Sequence, residues 1–214
     1  MRFLITAGPT REPIDPVRYL SNRSSGKMGY AIAQAAIGAG HEVILISGPV
    51  TMPRPRGAAV IGVATSDQMF DAVMQQAGNC DILVMCAAVA DYKPAKVSKS
   101  KIKKRDAELS LALKPTRDIL ASLPKDRPYR VVGFAAETDE IEANALKKLR
   151  AKDCDVIIAN DARVAMERDE NEVTVLFRDG SKQKISRAPK EIIARELVII
   201  FEKLCEKCLT KKFT

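Results

Sequence analysis

The stretch Ile5–Gly29, ITAGPTREPIDPVRYLSNRSSGKMG, joins the end of a strand to the start of a helix through an unusually long loop, and the rest of the chain has to be built around that unit. The preceding residues MRFLITAG are apolar and close on Gly8, and YAIAQAAIGAG after Gly29 reads as a buried helix of small residues ended by Gly38 and Gly40. The dinucleotide version of such a β-loop-α unit has a tight G-x-G-x-x-G turn that seats pyrophosphate on the helix N-terminus. Here about fifteen residues follow Gly8 instead, carrying Arg11, Asp15, Arg18 and Asn22 and stiffened by Pro9, Pro13 and Pro16. An anion site survives at Ser24, Ser25, Gly26, Lys27, Met28 and Gly29, where hydroxyls, glycines, open N–H groups and the helix dipole all suit phosphate. It is not a Walker A loop, which would need glycine at Ser21 and serine or threonine at Met28.

Beyond this unit, strands alternate with helices, the pattern of a doubly wound, Rossmann-like parallel sheet. Periodicity predicts strands at Arg2 to Ala7, Glu42 to Ser47 and AAVIGV, with helices at about Lys27 to Ala39 and from Ser66, with a capping start, to about Ala77. DILVMCAAVAD, VVGFAA and DVIIAND read as strands buried on both faces, and a charged helix runs from about Glu140 to Lys152. AELSLAL suggests an edge strand, and PTRDILASL a turn and short helix. NEVTVLFRDGSKQKIS forms a C-terminal β-hairpin turning at Asp179-Gly180, followed by a terminal helix from Lys190 to about Leu209. A chain of 214 residues with 46% apolar content can bury one sizeable core, so residues 1–214 are read as a single domain.

No apolar run reaches membrane-spanning length and no signal pattern precedes the first strand, so a cytoplasmic protein without membrane partners is expected. An odd set of five cysteines fits that compartment; Cys205 and Cys208 share a C-x-x-C but have no second pair or histidine cluster, and adjacent helix turns explain the spacing. The one histidine, His41, precedes a strand as a turn residue, so a histidine triad or histidine metal site is excluded. A net charge of +8 points to acidic partners: nucleic acid, nucleotides or phosphorylated small molecules.

Ligands of open α/β sheets bind beyond the carboxyl ends of the strands. Those ends carry Gly8, Ser47-Gly48, Ala87 to Asp91, Phe134 to Thr138 and Asn160-Asp161. Asp91 follows an apolar strand and is placed to meet a ligand's hydroxyl or base, or to cap a helix. Tyr92 to Arg105 then gathers seven cations, Lys93, Lys96, Lys99, Lys101, Lys103, Lys104 and Arg105, in a mobile basic flap leaving the same edge as the phosphate-suited helix start. A lysine from it could close over negative charge in phosphoryl or nucleotidyl transfer. Lys148 and Lys152 share one helix face and, on spacing alone, read as exposed. Tyr92-x-x-x-Lys96 has the spacing of a dehydrogenase catalytic pair, but Pro94 forbids the helix turn it needs, and Ser47-Gly48 offers no acid for an NAD ribose.

The segments ITAGPTREPIDPVRYLSNRSSGKMG, AAVADYKP, KIKK and VVGFAAET, with DVIIAND and NEVTV beyond them, resemble phosphopantothenate-cysteine ligase over almost the whole chain. That coenzyme A pathway enzyme is often fused to a flavin-dependent decarboxylase, for which this chain has no counterpart, so a stand-alone ligase is expected. The resemblance implies that the carboxylate of 4'-phosphopantothenate attacks a nucleotide's α-phosphate and releases pyrophosphate, and that the amine of L-cysteine then displaces the nucleotide. By similarity Asn22 handles the acyl-nucleotide, Lys101 is the flap lysine, and Arg18 and Ala88 belong to the phosphopantothenate side. Nucleotide contacts carry over to Gly8, Ala87, Asp91, Phe134, Lys148 and Lys152, and to Asp118, Ile119 and Leu120, alongside the phosphate-suited Ser24, Gly26 and Gly29. The motifs look bacterial, which favours CTP over the ATP of eukaryotic relatives; magnesium is implied, held mainly through the nucleotide phosphates, with its direct ligands unknown, and a homodimer is implied as well. Two departures stand out: Arg117 where the family commonly has proline, and a shortened loop between NDARVAM and Asp169. The competing reading is a basic nucleotide- or nucleic-acid-binding α/β module without ligase activity, but cations without interleaved aromatics suit base stacking poorly, and no nucleic-acid partner is expected.

Overall fold

In the computed structural model, which describes residues 1–104, 106, 108–161, 163 and 168–209, the first strand lies inside an eight-stranded sheet. This strand, β1 (Arg2–Ala7), is buried at every residue after Arg2. Because successive side chains point to opposite faces, it feeds two cores at once. Phe3, Ile5 and Ala7 pack with Ile32, Ala33 and Ala36 of α1 (Lys27–Gly38) and with Ile193, Leu197 and Phe201 of α4 (Lys190–Leu209). Leu4 packs on the other face with Met69 and Val73 of α2 (Ser66–Gln76) and with Ala145 and Leu149 of α3 (Ile141–Ala151). Each of the larger side chains, Phe3, Leu4 and Ile5, contributes roughly 1.5–3 kcal/mol of burial, so β1 anchors both layers.

On one side of β1 run β4 (Glu42–Ser47) and β5 (Ala58–Gly62), after the short hairpin of β2 (Arg11–Pro13) and β3 (Tyr19–Ser21) in the long loop. On the other side run β6 (Ile82–Met85), β9 (Arg130–Glu137) and β10 (Val156–Asp161), all parallel to β1. The strand order therefore reverses between β1 and β6, the switch point where open sheets bind ligands. Two antiparallel strands, β11 (Glu170–Phe177) and β12 (Lys182–Pro189), complete the sheet and form the expected hairpin, with Gly180 at positive φ in its turn. The doubly wound, Rossmann-like architecture expected from the sequence is the one observed. Among the described residues, no helix is long and apolar enough to cross a membrane.

Three local expectations are corrected. The apolar run DILVMCAAVAD is a strand only at Ile82–Met85, because Ala87 N–H turns away to the Thr6 hydroxyl at 3.1 Å and Ala88 N–H to the Gly8 carbonyl at 2.9 Å. AELSLAL is not an edge strand of the sheet. Leu109 is 64% exposed, so the alternation has no core to face, and only Leu113–Pro115 (β8) pairs, with Tyr92–Pro94 (β7), in a separate ribbon. The capping box of α2 is closed by Thr65, not Ser66: the Thr65 hydroxyl accepts from Gln68 N–H, and the Gln68 side chain accepts from Thr65 N–H. The shortened loop before Asp169, Arg105 of the flap and the side chain of Cys208 lie outside the described residues.

Candidate active site

The start of α1 meets the end of β1 with almost nothing between them. A Cβ on Gly29 would stand 2.6 Å from the Ala7 Cβ and 3.1 Å from the Thr6 carbonyl oxygen, so the helix packs there only because glycine lacks one. Gly26 is the N-cap at φ +78, a conformation that glycine adopts without strain, and it offers no side chain to the first turn. No acidic residue occupies that turn either, so its dipole and the N–H groups after Lys27 stay available to an anion. Ser24 and Ser25 hydroxyls accept from Gly26 and Lys27 N–H at 3.3 and 3.4 Å, folding the approach into a serine-lined turn. Lys27 pairs with the exposed Asp169, whose carboxyl this contact lowers.

These residues form one end of a cleft of about 620 Å³ whose walls also include Asn22, Ala87, Ala88, Asp91, Phe134 and Lys148. A second hollow, of about 420 Å³, shares Ala87, Asp91, Phe134 and Lys148 with it and is walled further by Asp118, Ile119, Leu120 and Lys152. The structure thus brings together thirteen of the sixteen predicted site residues, Asn22 and Ala88 among them, in one continuous groove over the β1/β6 switch point. Gly8 lies beneath it, its carbonyl accepting from Ala88 N–H, and Pro9 bridges to Ala88. Asn22 reaches across the loop, its Nδ2 donating to the carbonyls of Ala88 and Val89 at 3.1 and 3.2 Å.

Spacing alone put Lys148 and Lys152 in solvent; both are half-buried at the groove. Lys148 Nζ donates to the Phe134 carbonyl at 2.7 Å, and Lys152 pairs with Asp118. Burial raises the Asp118 carboxyl, but the Lys152 hydrogen bond and Ala121 N–H outweigh it, and the net shift is downward. Arg117, the departure from the family pattern, also lines this end. It bonds Asp67 and Asp71 of α2 and stacks 4.0 Å over the Phe70 ring, fixing Asp118–Leu120 to the body.

Arg18 and Lys101 stand apart from the groove walls and meet through the flap. Arg18 forks onto the buried Asp15 carboxylate at 2.6 and 3.0 Å and donates to the Ile102 carbonyl at 2.6 Å. Asp15 in turn accepts from Ile102 N–H at 3.1 Å, so the residue following Lys101 is clasped while Lys101 itself is exposed. Tyr92 opens strand β7 and Lys96 follows it, so no helix turn joins them, and His41 pairs with Glu202 at the amino edge of the sheet, away from the groove. Cys86 lines the groove with its thiol pushed up to about 12 by burial, which leaves it protonated and a poor nucleophile.

Sequence reasoning missed Lys190 and Asn171, which are 5% and 4% exposed and line the phosphate end. Asn171 opens the NEVTV segment that carried part of the resemblance, but no role was attached to it there, and Lys190 lies in none of the quoted motifs. The available signal was topological: β12 runs antiparallel to β11, which is antiparallel to β10, so α4 must start at the ligand-binding edge. A wider groove of about 1030 Å³ lies between the hairpin turn and α4, lined by Arg130, Asp155 and Ile199, and contains none of the predicted residues. Among the described residues, no group of three or more His, Cys, Asp or Glu stands where it could hold a metal ion.

Comparison with known proteins meets this geometry from a separate direction. Residues 1–204 match the model of the DNA/pantothenate metabolism flavoprotein C-terminal domain. The chain is 48% identical over 188 residues to the Coenzyme A biosynthesis bifunctional protein CoaBC of Vibrio vulnificus strain CMCP6, covering 84% of this chain and 47% of that protein. It is 46% identical over 200 residues to the CoaBC of Bacillus subtilis strain 168, covering 91% and 49%. It thus spans about half the length of the curated relatives it matches. A crystal structure of the C-terminal domain of CoaBC superposes with a TM-score of 0.84 at 41% identity, over 96% of each chain. The DNA/pantothenate metabolism flavoprotein of Streptococcus pneumoniae shares the fold, with a TM-score of 0.82 at 24% identity over 95% of this chain and 99% of that one.

Proposed function

Since the chain belongs to the family of the DNA/pantothenate metabolism flavoprotein C-terminal domain, we propose that it is a coenzyme A biosynthesis ligase joining 4'-phosphopantothenate to L-cysteine through an acyl-nucleotide, with CTP as the nucleotide. The observation that carries this reading is the single groove in which an uncapped helix N-terminus adjoins Asn22, held against Ala88 and Val89. Such a groove can hold a triphosphate and an acyl group side by side.

In the first step a carboxylate oxygen of phosphopantothenate bonds to the α-phosphorus, and the α–β bridging bond breaks with its electron pair leaving on pyrophosphate. The open N–H groups of α1 and nearby lysines oppose the charge that gathers there. In the second step the cysteine amine bonds to the acyl carbon and gives up a proton to solvent, and the bond from that carbon to the phosphate oxygen breaks with its electron pair leaving on the nucleoside monophosphate. Asn22 can both donate and accept hydrogen bonds, which suits holding the activated acyl group for the amine. Asp118–Leu120 and Lys152 would take the nucleoside, and the flap lysine Lys101 would shield the anhydride from water. Magnesium would be carried on the nucleotide phosphates, where it supplies charge neutralisation. A cytoplasmic homodimer completes the reading.

The test is an assay of pyrophosphate and amide formation with CTP and ATP side by side, each with phosphopantothenate, cysteine and magnesium. Amide formation with CTP preferred is the expected outcome. ATP preference would overturn the nucleotide assignment, and tight, steeply salt-dependent oligonucleotide binding without cysteine-dependent turnover would overturn the ligase reading.

A further inference from the structure

Lys190 is a buried cation for which the groove, as described above, has found no use. It opens α4, where the β12 backbone returns to the carboxyl edge of the sheet, and it lines the phosphate end of the groove with Lys27, Gly29, Cys86 and Asn171. Its Nζ donates to the Arg168 carbonyl at 2.6 Å. Burial and then the nearby Lys27 charge push its ammonium below the usual lysine value, while Cys86 and Asp169 act in the opposite direction. Taking an ammonium out of water is expensive, and bringing a second cation near it more so. Two ammonium groups on one wall, beside the first turn of α1, suit a ligand that carries more than one negative charge.

The groove also has a direction. Asp118–Leu120 and Lys152 lie at one end, Ala87, Asp91, Phe134 and Lys148 in the middle where the two hollows join, and Gly26–Gly29 with Asn22, Ala88 and Lys190 along the other. On the ligase reading, on which this inference rests, the nucleoside occupies the first end and the reacting α-phosphate the middle. We propose that Lys190, together with Lys27, forms the subsite for the β- and γ-phosphates and so for the departing pyrophosphate. As the α–β bond breaks, the electron pair left on the bridging oxygen is opposed by two ammonium groups and the open N–H groups of α1. Lys27 exchanges Asp169 for phosphate, and Asp169 is the exposed counter-ion that holds it until then. The other anion with matching chemistry is the 4'-phosphate of phosphopantothenate, and the experiment separates the two.

Lys190→Met keeps the length of the side chain and removes its charge; Lys27→Met does the same at a partly exposed site in the first turn of α1. Inorganic pyrophosphate with magnesium is titrated calorimetrically into the full-length wild type and each variant, and KM is measured for CTP and for phosphopantothenate. Each variant is expected to weaken pyrophosphate binding on the order of tenfold, as the loss of a charged hydrogen bond does, and to raise KM for CTP while leaving KM for phosphopantothenate nearly unchanged. Lys190→Arg should recover part of the loss. A Lys190→Met protein that melts like wild type and binds pyrophosphate equally well would overturn the proposal. So would an effect confined to KM for phosphopantothenate, which would assign the lysines to the 4'-phosphate. If Lys190→Met melts early, Lys27→Met decides, and unchanged pyrophosphate affinity there overturns the subsite. Wild-type protein that forms no amide would sink the ligase reading itself, whereas active wild type with unaffected variants would sink only this subsite.

Discussion

The two walls of the groove are built on opposite plans. The α1 wall is main chain against main chain: Cβ atoms on Gly26 and Gly29 would lie 3.2 Å from the Gly8 backbone and 2.6 Å from the Ala7 Cβ, respectively. The flap wall is a two-stranded ribbon, β7 and β8, tied to the body by polar contacts: Ser98 N–H to the Ile14 carbonyl, Lys93 to Asp67, and Arg18 and Asp15 to Ile102. A site made of backbone dipoles works only if the dipoles are fixed before the anion arrives, so it belongs on close-packed elements. A lysine that must cover a reactive anhydride and then let product go belongs where opening costs little. The contrast predicts that damage to the first wall harms fold and binding together, while damage to the second harms turnover alone.

The largest effect should come from Gly29→Ala. The added methyl must displace Ala7 or push α1 off β1, a strain of roughly 1–3 kcal/mol, and either shift misaligns the N–H groups. Thermal melting and CTP titration should show both a lower Tm and lost nucleotide affinity. A variant with wild-type affinity would mean that phosphate does not sit on this helix.

Next come two variants that divide the reaction between the walls. Asn22→Asp places a carboxylate against the Ala88 and Val89 carbonyls that now accept from its amide. It should still release pyrophosphate but make little amide, so that acyl-nucleotide accumulates in quenched reactions with labelled nucleotide. Lys101→Gln should slow overall turnover by roughly a hundredfold, the scale of one lost transition-state contact, with an unchanged Tm because the side chain is exposed. Normal amide formation by the first or full activity of the second would undo the division of roles.

How much of this was legible beforehand follows the same contrast. Strands such as Arg2–Ala7 and Glu42–Ser47 announce themselves because a run buried on both faces has to be apolar, and the anion site announces itself through glycines that no other residue can replace. The flap ribbon was misread because AELSLAL alternates without a core to bury against; alternation without burial carries no register. Lys148 and Lys152 looked exposed because helix spacing says which residues share a face but not what that face meets. Lys190 was invisible for a stronger reason: what brings it to the groove is the antiparallel pairing of β12 with β11, which returns the chain to the carboxyl edge, and no local pattern around Lys190 announces that pairing.

The smallest and most local effect is expected at the clasp itself, from Asp15→Asn. Asp15 is 3% exposed and accepts from Val17, Arg18 and Ile102 N–H while the Arg18 guanidinium forks onto Oδ2. The Arg18 hydrogen bond holds its carboxyl well below the ordinary 3.8, with the backbone donors adding to the shift against burial. A carboxyl lowered on folding contributes stability that is complete above its unfolded value and fades as pH falls through the folded one. The clasp should therefore be fully formed across neutral and mildly acidic pH, and begin to loosen only below the unfolded carboxylate value near 3.8. Asparagine keeps the shape but removes the charge that draws in Arg18 and one acceptor oxygen. Amide exchange at Ile102 should then quicken at neutral pH and lose its acid dependence, while exchange in β1 stays slow. Turnover should drop only severalfold, because Lys101 is still present and merely held less well. If exchange at Ile102 were unchanged, the flap would be held by something other than Asp15, and the distinction between a fixed wall and a clasped one would fail at its hinge.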